Sequence, residues 1–319
     1  MMQKDPFIIV IYGPTGVGKT DLALKLGSHL PVEIINMDVG QLYTPLSIGT
    51  AKPDWRSSPI AHHLFDVISA PINITAVRYR ALVEEKIKAI QARGNIPLLV
   101  GGSGFYLKSL LFPPSEQSTS IGIDEKYSTI TDSVALWNEL HAVDQLRAQA
   151  IHPHDSYRIK RALTIWEKTG RLPSEQKPIY DPVAPLFIVH LTREREQLYQ
   201  RINERVHAMI DQGWVDEVAQ LKDTPWEPFL LTKKLIGYDD ILDYLAGKRT
   251  PERWTQTVDA IQKKSRHYAK RQETMWRGII KHLEQVEKAR ILDEVNLTFI
   301  DLELYIKQLL KRIKYSRQS

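Results

Sequence analysis

Phe7-Ile8-Ile9-Val10-Ile11-Tyr12-Gly13-Pro14-Thr15-Gly16-Val17-Gly18-Lys19-Thr20 is the stretch on which the fold turns. The apolar, β-branched run Phe7–Tyr12 reads as a strand buried on both faces, as parallel sheets require. It runs into the pattern G-x-x-x-x-G-K-[ST], and Lys19–Leu30 then carries leucines at helical spacing. Strand, glycine-rich turn and helix in that order make a phosphate-binding loop. Gly13, Pro14, Thr15, Gly16, Val17, Gly18, Lys19 and Thr20 are its expected members. Backbone N–H groups converge on phosphate oxygens and the helix turns its positive end toward them. Lys19 adds a point charge, and the Thr20 hydroxyl can hold a magnesium ion.

Outward from this loop, Val32–Ile35, Ile96–Val100 and Ala184–Leu191 read as further strands, with Leu64–Ile68 as a candidate. Ala76–Ala92, Tyr157–Lys168, Arg195–Leu221, Thr232–Leu245 and Pro251–Ile280 read as helices. Alternation of this kind predicts an α/β domain, a parallel sheet flanked by helices. Phe112–Glu125, with its prolines and serines, reads as a linker, and Val134–Ile151 as one amphipathic helix. The expected organisation is a core from 1–112 and 154–280, a small helical insertion at 113–153, and a C-terminal extension at 281–319.

The 319 residues contain no cysteine, which excludes disulfides, cysteine-ligated zinc, iron–sulfur clusters and thiol catalysis. Lys and Arg number 43 against 38 acids, a small excess whose placement matters more than its size. No apolar stretch is long enough to span a membrane and none reads as a signal peptide, so a cytoplasmic protein is expected.

Phosphate loops that hydrolyse nucleotides need an apolar strand ending in a carboxylate that helps hold magnesium. Ile96–Val100 ends in Gly101-Gly102, and Ala184–Leu191 ends in a histidine, a leucine and a threonine. Only Val32-Glu-Ile-Ile-Asn-Met-Asp38 offers a carboxylate near a strand's end. Asp38 would stand where ligands bind in such folds, beyond the carboxyl ends of the strands. General base, substrate hydrogen-bonding group and outer contact to magnesium are all open to it.

Further motifs stand in series with the loop. They are Asp38-x-x-Gln41-x-Tyr43, Ile48-Gly49-Thr50-Ala51-Lys52-Pro53, His62-His63-Leu64-x-Asp66 and Gly101-Gly102-Ser103-Gly104-x-Tyr106. After these come Ile151-His152-Pro153-His154-Asp155, Arg158-Ile159-x-Arg161-Ala162-Leu163 and Arg201-Ile202-x-x-Arg205-Val206. Ile236-Gly237-Tyr238 and Tyr268-Ala269-Lys270-Arg271-Gln272-x-Thr274 close the series. In this order and spacing the chain resembles the tRNA dimethylallyltransferases (tRNA isopentenyltransferases) over about residues 7–277.

The resemblance implies a core like that of the P-loop NTPases. It also implies transfer of a dimethylallyl group from dimethylallyl diphosphate to the exocyclic amine of adenosine 37, in tRNAs reading codons that begin with U. The phosphate loop would then bind the donor's diphosphate, with Mg2+ on Thr20, and no nucleotide need be hydrolysed. The implied catalytic residues are Lys19, Asp38 and Ser103, the last standing where the family usually has Thr. Asp38, Val39, Gly40, Gln41 and Ser103 would touch the tRNA; the family usually has Ser where this chain has Val39. The insertion corresponds to a helical domain that in the family grips the anticodon stem-loop, and here it is short. A monomer is expected.

The target base is stacked in its loop and must be flipped out, so protein groups must replace its stacking. Tyr43, Tyr106, Tyr238 and Trp276 are aromatic candidates, each equally readable as core. Residues 261–277 carry six cations, Lys263, Lys264, Arg266, Lys270, Arg271 and Arg277, against the single acid Glu273. A helix nearly of one sign with interleaved aromatics fits phosphate contacts on a looped RNA. Lys263, Lys264, Lys270 and Arg271, together with Arg158 and Arg161, are the expected tRNA-binding cations. Rival readings are an adenylate isopentenyltransferase, a small-molecule P-loop kinase and a noncatalytic RNA-binding relative.

Overall fold

The computed structural model describes residues 7–113, 122–176, 178–284 and 291–316. The linker residues 114–121 and the tail beyond 316 therefore lie outside the described residues. Two compact units emerge, Met1–Leu110 with Pro182–Ser319, and Leu111–Asp181.

The larger unit is built on a six-stranded parallel sheet in the order β3-β2-β4-β1-β5-β6. The strands are β1 (Ile8–Tyr12), β2 (Val32–Asn36), β3 (His62–His63), β4 (Ile96–Gly101), β5 (Leu186–Thr192) and β6 (Ile291–Asn296). Every residue of β1 is buried, as its unbroken apolar run predicts. Paired on one side with β4 and on the other with β5, β1 occupies the point where the chain reverses its winding. Ligands of open α/β sheets bind at the carboxyl end of such a strand. There β1 passes into α1 (Lys19–Gly27), whose Leu22, Ala23 and Leu26 pack into the main core. Helix α2 (Ala76–Ala92), capped by the Thr75 hydroxyl, and α3 (Gly104–Leu111) flank β4 in sequence.

Six expectations are corrected. The third strand is His62–His63 rather than Leu64–Ile68, because Leu64 and Asp66 both take positive φ; Ile68 makes only an isolated bridge to Tyr43. Arg195–Leu221 is two helices, Arg195–Asp211 and Trp214–Leu221, broken at Gly213 with φ 96°. Thr232–Leu245 falls on two others, Trp226–Lys233 and Tyr238–Ala246, separated by left-handed Lys234 and Gly237. The C-terminal extension is not an appendage. Its β6 joins the sheet, and Tyr305, Ile306, Leu309 and Ile313 of the helix Leu302–Ser316 enter the main core.

The fifth concerns the smaller unit, which extends over Leu111–Asp181 and thereby takes in the helix Ser156–Thr169 with Arg158 and Arg161, expected in the core. Its own hydrophobic centre holds Tyr127, Leu136, Leu140, Ile159 and Leu163. Val134–Ile151 is not one helix but Ser133–Val143 and Gln145–Gln149. Asp144 ends the first and caps the second by accepting from Arg147 N–H, the competition with the backbone that disfavours Asp inside helices.

At the amino ends of β2 and β3, Glu33 gathers four hydrogen bonds. Arg93 donates through Nε (2.9 Å) and Nη2 (2.6 Å), Asn95 through Nδ2 (2.7 Å), and His63 Nε2 lies 2.6 Å away. The Arg93 guanidinium holds the Glu33 carboxyl down at about 2, against the opposing effect of burial. A carboxylate depressed in the folded state stabilises above its ordinary pKa and loses that contribution as pH falls through the folded value. Glu33→Gln is therefore expected to be less stable by about 2–3 kcal/mol at pH 7, with the gap closing between roughly pH 4.5 and 2. Urea unfolding of both proteins across that range measures it.

Candidate active site

The phosphate loop lies between the carboxyl ends of its neighbours. A Cβ on Gly13 would stand 2.5 Å from the Leu191 carbonyl at the end of β5, so only glycine fits where the chain leaves β1. Gly18 caps α1 with φ 114° and no side-chain hydrogen bond, which leaves the first amides of the helix to a ligand. The Lys19 ammonium arches back over the loop and donates to the carbonyls of Gly13 and Pro14, both at 2.9 Å.

Side chains distant in sequence fix the loop's outer carbonyls. Arg201 Nε donates to Gly16 O (2.9 Å), Arg193 Nε to Val17 O (2.8 Å), and Arg205 Nη1 to the Thr15 hydroxyl (3.3 Å). In a trans peptide the N–H points opposite to the carbonyl. Anchoring Val17 O on Arg193 thus turns the Gly18 N–H the other way. Gln272, on the long helix Pro251–Leu283, accepts from Thr15 N–H (2.9 Å) and donates to Gly102 O (2.7 Å). Its own carbonyl accepts from the Tyr12 hydroxyl. One buried amide thereby couples the phosphate loop to the Gly101–Gly104 turn.

Asp38 follows β2 and is clamped by Asn36, whose Oδ1 accepts from Asp38 N–H (2.8 Å) and whose Nδ2 donates to Asp38 O (3.0 Å). Burial pushes the Asp38 carboxyl up, while Lys19, Arg205 and the Gly40 amide pull it down. Burial likewise lowers Lys19 to about 8, with Asp38 opposing the shift and Arg205 adding to it. Carboxylate, ammonium and guanidinium, all three half-buried, therefore lie within electrostatic reach of one another. Burial also pushes up the phenols of Tyr79, Tyr106 and Tyr268, with the Asp38 charge adding to each.

Ser103 reaches the same neighbourhood because a Cβ on Gly101 would stand 2.2 Å from Met37 O, so glycine lets the ends of β4 and β2 close up. Ser103 N–H then donates to Met37 O (3.3 Å), and the buried Ser103 hydroxyl accepts from Tyr106 N–H at a long 3.4 Å. The site joins an anion cradle to a half-buried carboxylate and a hydroxyl, which suits departure of a phosphate-bearing group coupled to proton removal.

The family model described as IPP transferase matches residues 41–278. A tRNA dimethylallyltransferase of Geobacter sulfurreducens is 36% identical over 278 residues, covering 85% of this chain and 88% of the relative. Among solved structures, a tRNA delta(2)-isopentenylpyrophosphate transferase of Staphylococcus epidermidis is 29% identical with a TM-score of 0.65, over 97% of this chain and 99% of that one. A eukaryotic dimethylallyltransferase acting on tRNA is 27% identical with a TM-score of 0.75, over 92% of this chain and 75% of that one. This chain belongs to the IPP transferase family.

Other expected contacts of this IPP transferase family member fall out differently. Val39 is half-buried, and Gly40 opens the short 3-10 turn Gly40–Leu42 against Thr50. Gln41 was expected to touch the tRNA. Its amide nitrogen instead donates to Thr50 O (3.1 Å) and Ala51 O (3.3 Å) and holds the 47–51 loop. Glu217 fastens that loop from the other side by accepting from the N–H groups of Ser47, Ile48 and Gly49 and from the Tyr238 hydroxyl. The motifs Ile48–Pro53 and Ile236–Tyr238 are thus two halves of one anchor.

On the long helix, Lys263, Lys270 and Arg271 are exposed. Lys264 is not the unpaired cation its neighbourhood in sequence suggests. Asp239 (2.9 Å) and Asp240 (2.8 Å), at the start of Tyr238–Ala246, take its ammonium. In the smaller unit Arg158 pairs with Asp155 at 3.3 Å. Tyr43, Tyr106, Tyr238 and Trp276 are all buried, so the core reading holds for each.

From sequence alone, no role falls to Asn36, Arg193 or Glu217. Arg201, Arg205 and Gln272 stood in the motif series without an assigned role, and the i, i+4 spacing of Arg201 and Arg205 puts both on one helix face. Replacing Gln272 with Leu leaves Thr15 N–H and Gly102 O without their partner. The variant is expected to lose about 2–4 kcal/mol of stability in urea unfolding, the cost of two stranded polar groups.

Proposed function

We propose that this protein transfers the dimethylallyl group of dimethylallyl diphosphate to the exocyclic amine of an adenosine in tRNA. The finer reading is adenosine 37, beside the anticodon, in tRNAs whose codons begin with U. The observation that carries the proposal is the shared space of Asp38, Lys19 and Arg205 at the mouth of a phosphate loop. The tRNA dimethylallyltransferases among its relatives support the choice of substrates.

The loop amides, Lys19 and Arg205 would hold the diphosphate and stabilise the charge that gathers there as the allylic C–O bond breaks. The amine's lone pair then forms the C–N bond to the allylic carbon, and Asp38 takes the proton the nitrogen sheds. Diphosphate and a dimethylallylated adenosine are the products. Burial raises the proton affinity of Asp38, which suits a base, while Lys19 and Arg205 oppose that shift and favour its ionised form. The Ser103 hydroxyl has its hydrogen available for the same amine or for a donor oxygen. Magnesium fits the Thr20 hydroxyl, where it would neutralise the diphosphate. Among the described residues no group of three His, Asp or Glu could hold a metal, so phosphate and water oxygens would complete its shell. A monomer acting in the cytoplasm completes the reading. Among the described residues no helix is long and apolar enough to cross a membrane.

The deciding experiment offers labelled dimethylallyl diphosphate with tRNA, AMP and ATP together. Label is expected on tRNA; label on AMP or ATP would transfer the assignment to an adenylate isopentenyltransferase. Asp38→Asn keeps shape and removes the base, so single-turnover rates should fall by about 10²–10⁴ while both substrates still bind. Lys19 loses its charge as pH rises through about 8, so kcat/KM for the donor should decline on that limb. A profile flat to pH 10 would contradict the role of the ammonium.

A further inference from the structure

A base drawn out of a stacked loop leaves a gap beside its neighbour, and something must fill it. All four aromatic residues the sequence nominates for stacking are buried. Another aromatic belongs to the Gly101–Tyr106 motif itself. Phe105 lies two residues after Ser103, in the first turn of α3, at the carboxyl end of β4, and is 58% exposed. That is the end of the sheet at which the phosphate loop and Asp38 stand.

The ring is exposed because its neighbour is pinned. Tyr106 stacks on Tyr79 with ring centroids 3.8 Å apart and planes 9° from parallel, and the Tyr79 hydroxyl donates to Asn36 O. Asn36 in turn clamps Asp38. With Tyr106 held inward on that stack, the adjacent side chain is left outward, its ring 5.8 Å from that of Tyr106 and tilted by 43°. Phe105 is thus a bare aromatic face mounted on the scaffold that positions Asp38 and Ser103.

We propose that Phe105 stacks against the nucleotide that flanks the extracted adenosine, replacing the neighbour that nucleotide loses. The inference rests on the tRNA reading above and adds a substrate-contacting residue to it. Base–aromatic stacking tolerates any base because every base has a π face, so the contact would steady the opened loop without selecting its sequence.

The test uses full-length protein and an anticodon stem-loop RNA carrying 2-aminopurine next to the target adenosine. Phe105→Ala is expected to raise KM for the RNA roughly thirtyfold, the middle of the range for losing one stacked base. KM for dimethylallyl diphosphate should stay as in the wild type. The fluorescence that wild-type protein quenches should remain bright with Phe105→Ala, and Phe105→Tyr should restore both quench and KM. Because the ring is exposed, the variants should melt with the wild type. Phe105→Ala matching the wild type in RNA KM and quench would overturn the proposal while leaving the tRNA reading intact. Wild-type protein that puts no label on tRNA would overturn both.

Discussion

The site depends on one half-buried carboxylate within electrostatic reach of two cations. Burial disfavours the charged form of Asp38 and pushes its carboxyl up. Alone, Lys19 or Arg205 would be destabilised for the mirrored reason. Asp38 offsets part of that cost for each cation, and they for it, while Lys19 and Arg205 repel one another; the arrangement arises only where the ends of β1 and β2 and the helix Arg195–Asp211 come together. The same two cations that would meet an incoming diphosphate in the proposed reaction also favour the ionised form of Asp38.

Most of the surrounding structure keeps that arrangement rigid. Asn36 fixes the backbone of Asp38, and the glycine contact of Gly101 with Met37 brings Ser103 alongside. Gln272 couples the loop to the same turn, while Arg193 and Arg201 hold its carbonyls from outside. These bonds position groups rather than meet substrate. Their value lies in preorganisation, since donors already in place need no reorientation as charge develops.

The tertiary structure also redistributes the basic character of the sequence. Residues 261–277 look like a stripe of one sign, yet Asp239 and Asp240 take Lys264, and Arg266 donates to Asn203 (2.7 Å). Lys263, Lys270 and Arg271 keep their exposure, so the stripe is narrower than it reads. The aromatic residues undergo a similar sorting. Trp276 stacks on Tyr12 and His190 in the interior, while Phe105 stays in water.

The sequence by itself determined what local chemistry can determine. The all-apolar run into Gly13–Thr20 points to a buried strand, a glycine-rich turn of phosphate-loop pattern and a helix, and the strand and helix are both observed. Asp38 was legible as the one carboxylate near a strand's end, and Ser103 by its place in the glycine turn. What only the tertiary structure decided are the pairings across long separations. Gln272 meets Thr15 from 257 positions away, and Arg205 reaches it from 190. Periodicity reports which face of an element is apolar, not which distant element will cover it. The helix breaks at Gly213 and Gly237 and the entry of β6 into the sheet were hidden for the same reason. A backbone turn or an added strand is chosen by the packing of its neighbours, and that packing exists only once the chain has folded.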